Sequence, residues 1–246
     1  MKKLCLLLCL ILLILASAYT QSTVPELENI QDKISAGYTK ALDGDTSVLT
    51  NIINELQTVK SSSEHYLTYW LAFANYKLAA YYMSKDKKVS ERKTNEALEV
   101  LEKVNNKNSE DYVLLGSLIS FSLNFKAGET AILSQKARNY YQKALKLDKN
   151  NLRAYFSIGR SDYYKPKQYG GGEVVEVNLI KALSLPVKSN NSVYAPSWGK
   201  METYELLVNF YLREERKGDA VIYCKKGLQE FPNSISLQQN LKKLAQ

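Results

Sequence analysis

Residues 201–234 read METYELLVNFYLREERKGDAVIYCKKGLQEFPNS, and the spacing of their bulky and small residues decides the fold. Tyr204, Leu207 and Tyr211 recur at helical steps and share one face of a helix. Ala220, Cys224 and Gly227 do the same on a second helix, which Pro232 stops. Small residues let the two helices of a hairpin approach closely, and the bulky ones fill the gap to the next hairpin. The segment therefore predicts a helix pair that leaves an apolar side for another pair to cover.

The pattern continues toward the N-terminus. Pro25 suits a first helical turn, and Leu27, Ile30, Ile34, Tyr38 and Leu42 follow at helical spacing. After the turn Asp43-Gly44-Asp45, Val48, Leu49, Ile52, Ile53 and Leu56 form a second helix. Ser61 and Glu64 have capping-box spacing, which predicts a new helix there. The second pair opens with Tyr66, Tyr69, Trp70, Phe73, Tyr76 and Leu78, crosses a polar loop at 85–88, and returns with Ala97, Leu98, Leu101 and Val104. The third runs from Tyr112 through Leu115, Ile119 and Phe121, then back along Ala137, Tyr140, Tyr141, Ala144 and Leu147. The fourth runs from Tyr155 to Tyr164, breaks at Pro166 and Gly170-Gly171-Gly172, and returns to Ala182 and Leu185. The stretch from Pro186 to Pro196 reads as a polar connector. A last amphipathic helix carries Ile235, Leu237, Leu241 and Leu244, placed to cover the open end of a stack.

Residues 201–234 resemble the tetratricopeptide repeat (TPR) without a gap, since Tyr204, Leu207, Tyr211, Ala220, Cys224, Gly227 and Pro232 fall at its signature spacings. The fourth pair keeps Tyr155, Ile158, Gly159, Ala182 and Pro186. The third keeps Tyr112, Leu115, Gly116, Ala137, Tyr141 and Ala144, with a turn about nine residues longer than the 34-residue repeat permits. The second keeps Tyr69, Phe73, Tyr76, Ala97 and Leu101, with a still longer loop expected. The segment Tyr163 to Gly172 is also similar to exported TPR-type proteins of Bacteroidetes and, more loosely, to helical periplasmic components of tripartite solute transporters. The resemblance implies an all-α fold of antiparallel helix pairs stacked as a TPR-like solenoid: an N-terminal pair at 19–63, repeats at 64–232 and a capping helix at 233–246.

Residues 1–18 stand apart. Lys2 and Lys3, the apolar run from Leu4 to Leu15 and the small-x-small triplet Ala16-Ser17-Ala18 read as a secretory signal peptide, with cleavage expected after Ala18. The run is shorter than the about 20 residues of a membrane span, and no later stretch is long and apolar. Export to the periplasm or medium is therefore the expectation. Losing Lys2 and Lys3 lowers the formal charge of +8 by two, to +6. That surplus fits a lysine-rich solvated surface and favours acidic partners. No basic stripe is interleaved with aromatics as single-stranded nucleic acid requires, so nucleic acid is excluded. Cys5 and Cys9 leave with the signal, so Cys224 has no disulfide partner.

Catalytic and metal chemistry finds little support. His65, the only histidine, stands at a helix start with no nucleophile placed nearby. Cys224 occupies a packing position. Gly170-Gly171-Gly172 lacks the preceding strand and following Lys-Ser/Thr of a phosphate loop and reads as a turn. Glu26 with Glu28, and Glu214 with Glu215, read as solvated charge, and Asn190-Asn191-Ser192 is a glycosylation sequon. No enzyme activity, metal or cofactor is expected.

The richest signal is aromatic, with 18 tyrosines in 246 residues. Most should fill interfaces between hairpins. In the resembled family the first helix of each pair lines an inner, concave surface. Carried over, this implies partner-binding positions at Trp70, Lys77, Phe156, Arg160, Tyr163, Glu205, Asn209 and Arg213. The function implied is a scaffold that binds a peptide or a partner protein, with acidic groups favoured. The alternative is a solute-binding accessory of a transport system, holding a small molecule near Tyr163, Tyr169 and the glycine turn.

Overall fold

The computed structural model describes residues 24–59, 64–187 and 192–245. The expected signal segment, Ser61 of the expected capping box, and Asn190 and Asn191 of the sequon lie outside the described residues. Among the described residues the chain forms eleven α-helices and no strand. They are α1 (Ile30–Leu42), α2 (Ser47–Thr58), α3 (Glu64–Tyr82), α4 (Lys87–Glu102), α5 (Ser109–Ser122), α6 (Thr130–Leu147), α7 (Leu152–Tyr164), α8 (Val175–Leu183), α9 (Lys200–Arg213), α10 (Lys217–Glu230) and α11 (Ile235–Leu244). Successive helices pair as α1/α2, α3/α4, α5/α6, α7/α8 and α9/α10, and α11 packs on α10 and α9. The class and pairing match the expectation.

Helix starts follow local chemistry. Asp86 accepts the amides of Lys88 and Val89 at the head of α4. Asn108 and Asp111 close a capping box on α5, Asn151 accepts the Ala154 amide at α7, and Ser234 accepts the Leu237 amide at α11. Each satisfies a backbone donor that has no partner within its own helix. Two boundaries differ from expectation. Pro25 starts only a 3-10 turn, Pro25–Leu27, and α1 begins at Ile30 behind Asn29, whose φ is 51°. The extra length of the second and third pairs lies largely in helices rather than loops. The second-pair turn is only 83–86, while α3 has 19 residues and α4 has 16. In the third pair α6 extends to 18 residues, and Leu133 in its added first turns is buried.

Small residues set the spacing as the repeat pattern implied. A Cβ at Gly116 would lie 2.4 Å from Cε1 of Tyr141, so α5 and α6 could not close on any larger residue. Between α5 and α7, hydroxyls take the place of bulk: Ser117 Oγ lies 3.2 Å from Ser157 Oγ, and Ser120 Oγ 3.3 Å from Ser161 Oγ. Side chains this short bring the two first helices close while their polar atoms satisfy one another. Most of the core divides into two large apolar bodies, one around α1 to α5 and one around α7 to α11. Trp198 packs against both.

His65 ties the start of α3 to the cap of α5. Its Nε2 lies 3.1 Å from Oδ2 of Asp111, a fully buried carboxylate, and 2.7 Å from Nδ2 of Asn108. The neutral ring accepts from the amide, and the protonated ring donates to the carboxylate. The hydrogen bond with Asp111 raises the His65 pKa above its ordinary 6.5, against the opposing effect of burial. A raised folded-state pKa gives stability that is complete below the ordinary value and is lost as pH rises through the folded value. His65→Gln is therefore expected to lower the thermal midpoint below pH 6.5 and to leave it nearly unchanged in mildly alkaline buffer, as read by circular dichroism melts across pH.

Candidate binding face

The first helices α3, α5, α7 and α9 touch one another in sequence, and the connector before α9 packs against α3 and α7 on one side of that row, the inner face. The buried residue Arg153, near the start of α7, organises that packing. Its Nε and Nη2 donate to the Glu110 carboxylate at 2.6 and 2.7 Å, and Asn151 Nδ2 donates to the same carboxylate at 2.8 Å. Its Nη1 donates to the carbonyls of both Val187 and Trp198, each at 2.8 Å. One guanidinium thus holds both ends of the connector. Glu110 lies in the first turn of α5, where the helix dipole favours a carboxylate.

Between those ends the chain reaches α3 and α1. Trp70 Nε1 donates to the Tyr194 carbonyl at 2.9 Å, and Trp198 Nε1 donates to Tyr69 Oη at 3.0 Å. The Tyr194 hydroxyl accepts the Val24 amide at 2.7 Å, and Gln31 Oε1 accepts the Ser197 amide at 2.8 Å. The Trp198 ring stacks on Phe73 with centroids 5.2 Å apart and meets Phe156 edge-on at 6.2 Å. Tyr194, Ala195 and Pro196 are buried, so the described C-terminal part of the polar connector packs into the protein.

Beyond the connector lies a row of cations on aromatic rings. Lys77 Nζ sits 5.1 Å from the Tyr38 ring centre and 5.2 Å from that of Phe73. The Arg160 guanidinium donates to Tyr76 Oη and lies 5.8 Å from that ring's centre. Arg213 covers Tyr163 at 4.1 Å, contacts Phe210 at 5.6 Å and donates to the Tyr163 carbonyl at 2.6 Å. Among the described residues Arg213 pairs with Glu214, whereas no carboxylate lies within 4.0 Å of Lys77 or Arg160. Tyr76 and Arg160 belong to the second and fourth pairs, so the stack curves tightly enough for those pairs to touch across the third.

The eight residues implied by the resemblance fall into three groups. Trp70 and Phe156 are 1% and 4% exposed: the connector covers both, so the expectation of an uncovered inner face does not hold for them. Lys77, Arg160, Tyr163 and Arg213 belong to the cation–aromatic row. Glu205 and Asn209 are half-buried and turn toward the terminal helix: Glu205 accepts from Ser234 Oγ at 2.7 Å and Asn209 Oδ1 from Asn240 Nδ2 at 3.1 Å. Burial raises the Glu205 pKa, with Ser234 and Lys77 pulling the other way. Glu110, Arg153, Tyr194 and Trp198 were not anticipated. Two large aromatics flanking Pro196 in a Ser/Asn-rich link were the available signal.

Other chemistry is absorbed by structure. The glycine turn has no amide pocket for phosphate: the Gly172 and Val174 amides donate to Asp162 Oδ2 at 3.1 and 2.8 Å, and the Gly171 amide to the Pro166 carbonyl. A Cβ at Gly171 would lie 1.8 Å from the Lys165 carbonyl oxygen, which is why glycine stands there. Cys224 is buried, its thiol donating to the Leu237 carbonyl, and desolvation raises its pKa. Among the described residues no cluster of three His, Cys, Asp or Glu could hold a metal, and no helix is long and apolar enough to cross a membrane.

No protein-family model matches the chain, and no curated protein matches it. Solved structures do. The HusA haemophore from Porphyromonas gingivalis aligns with a TM-score of 0.57 at 22% identity, over 78% of this chain and 96% of that one. A thermophilic TPR protein of Thermus thermophilus aligns with a TM-score of 0.56 at 16% identity, over 88% of this chain and 98% of that one. The fold is TPR-like.

A buried ion pair that loses one member leaves an uncompensated charge, a loss of about 3–5 kcal/mol. Arg153→Met should lower the unfolding free energy by about that amount in urea titrations, and the double variant Glu110→Leu/Arg153→Met should regain most of it.

Proposed function

We propose that this protein is an exported, non-catalytic scaffold whose inner face binds a carboxylate-bearing peptide segment or partner protein. The observation that carries the reading is the pair of cations, Lys77 and Arg160, held on aromatic rings with no carboxylate within 4.0 Å of either among the described residues. A cation on a ring keeps its charge available while its stem is packed, and rings with Lys and Arg are strong anchors for an incoming acid. Arg213 beside Tyr163 extends the row toward α9. The export part rests on Lys2, Lys3, the apolar run from Leu4 to Leu15 and Ala16-Ser17-Ala18, with residues 19–63 as the first pair, 64–232 as the repeats and 233–246 as the cap.

A second reading is the handling of a flat, acid-bearing small molecule. It draws on the exposed rings of Tyr164 (72%) and Tyr169 (67%) near Arg213 at the glycine-turn end, and on the fold shared with a haemophore.

Selection from a random peptide library on the mature protein should enrich sequences rich in Asp and Glu. Lys77→Glu/Arg160→Glu should abolish that enrichment while leaving the melting transition cooperative. Unchanged enrichment on the double variant, or none on the wild type, would contradict the scaffold reading. Saturable binding of haem with a shifted absorption band, lost in Tyr164→Ser/Tyr169→Ser, would favour the second.

A further inference from the structure

The connector that fills the inner face is held in the manner of a bound peptide. Groove side chains take its main-chain atoms: the Trp70 indole takes the Tyr194 carbonyl, Gln31 the Ser197 amide and Arg153 the Trp198 carbonyl. The Tyr194 and Trp198 rings enter aromatic surroundings, Tyr194 against Tyr66 and Trp198 between Phe73 and Phe156. Residues 192–199 read SVYAPSWG and carry no charge, so they offer no carboxylate to Lys77 or Arg160. The segment forms no helix, and within it the Ala195 amide reaches the Ser192 carbonyl and the Tyr194 amide the Ser192 hydroxyl. Lifting residues 194–198 breaks no hydrogen bond within a helix, and Gly199 stays in place as the cap of α9. Arg153 still holds the Val187 carbonyl when the stretch lifts.

We propose that the stretch from Tyr194 to Trp198 is a displaceable occupant, in cis, of a peptide site between α3 and α7. The competing partner is a non-helical segment with two aromatic residues four positions apart, flanked by a carboxylate. Such a segment repeats the contacts of the connector and adds an ion pair with Lys77 or Arg160, which the connector cannot make. This deepens the scaffold reading, since it names what the inner face accepts and what holds that face closed beforehand.

The probe is a fluorescently labelled peptide of residues 192–199, which carries no acid and so does not depend on Lys77 or Arg160. Fluorescence polarisation should show it binding Tyr194→Ala/Trp198→Ala at least about tenfold more tightly than the wild type. Equal affinity, or no binding to a variant that melts cooperatively, would overturn the proposal while leaving the acid-selection result untouched. Should the variant fail to fold, hydrogen exchange on the wild type decides. Amides of 193–198 should exchange through a local opening, much faster than those of 113–119 in α5. Exchange of both segments at one common rate would make the connector permanent core and overturn the proposal.

Discussion

The Glu110–Arg153 pair is the contact on which the inner half of the molecule depends. Both residues are buried, and removing two charges from water is costly unless every donor and acceptor finds a partner. Here each charged nitrogen and oxygen has one: the carboxylate receives Arg153 twice and Asn151 once, and the remaining guanidinium nitrogen donates to two backbone carbonyls. A hydrophobic substitute of the same volume would fill the space but would not bind Val187 and Trp198 together. The pair therefore links the third pair of helices, the fourth pair and the connector at one point.

That anchoring changes what a stack of helix pairs can offer. A first helix in such a stack ordinarily has one side toward its neighbours and one toward solvent. Here α3 is buried on nearly all sides, because α1 and α2, α4 and α5, and the connector surround it. Trp198 spans the two halves of the apolar core and joins them where helix contacts alone would leave a cleft. What stays accessible is the line of cations on rings running past the connector from Lys77 to Arg213.

The sequence made the helix pairs legible because packing there is local. Gly116, Gly159 and Gly227 are small where Tyr141, Leu179 and Leu237 press on them, and such constraints repeat at fixed intervals. The surplus residues of the second and third pairs read as loops only because the repeat length was taken as a template; residues 130–136 extend α6 instead. The inner face was less legible. Position within a repeat says which way a side chain points, and Trp70 and Phe156 do point inward. It does not say whether another part of the chain already lies there. The contact that seals Trp70 comes from a residue 124 positions away, and no periodicity reports a contact of that range. Lys77 and Arg213 stayed partly accessible because a long charged side chain can rest its stem on a ring and keep its head near water, whereas the Arg160 head turns in onto the Tyr76 hydroxyl.

The covered inner face requires the connector to lie between α3 and α7 with the Trp198 ring against Phe73. Nuclear Overhauser measurements on the isotopically labelled protein test this directly. Cross-peaks between the Trp198 indole and the ring protons of Phe73 and Phe156 are expected, since the centroids lie 5.2 and 6.2 Å apart. A Trp198 ring that shows contacts only to its own sequence neighbours, with a solvent-like indole proton shift, would contradict it.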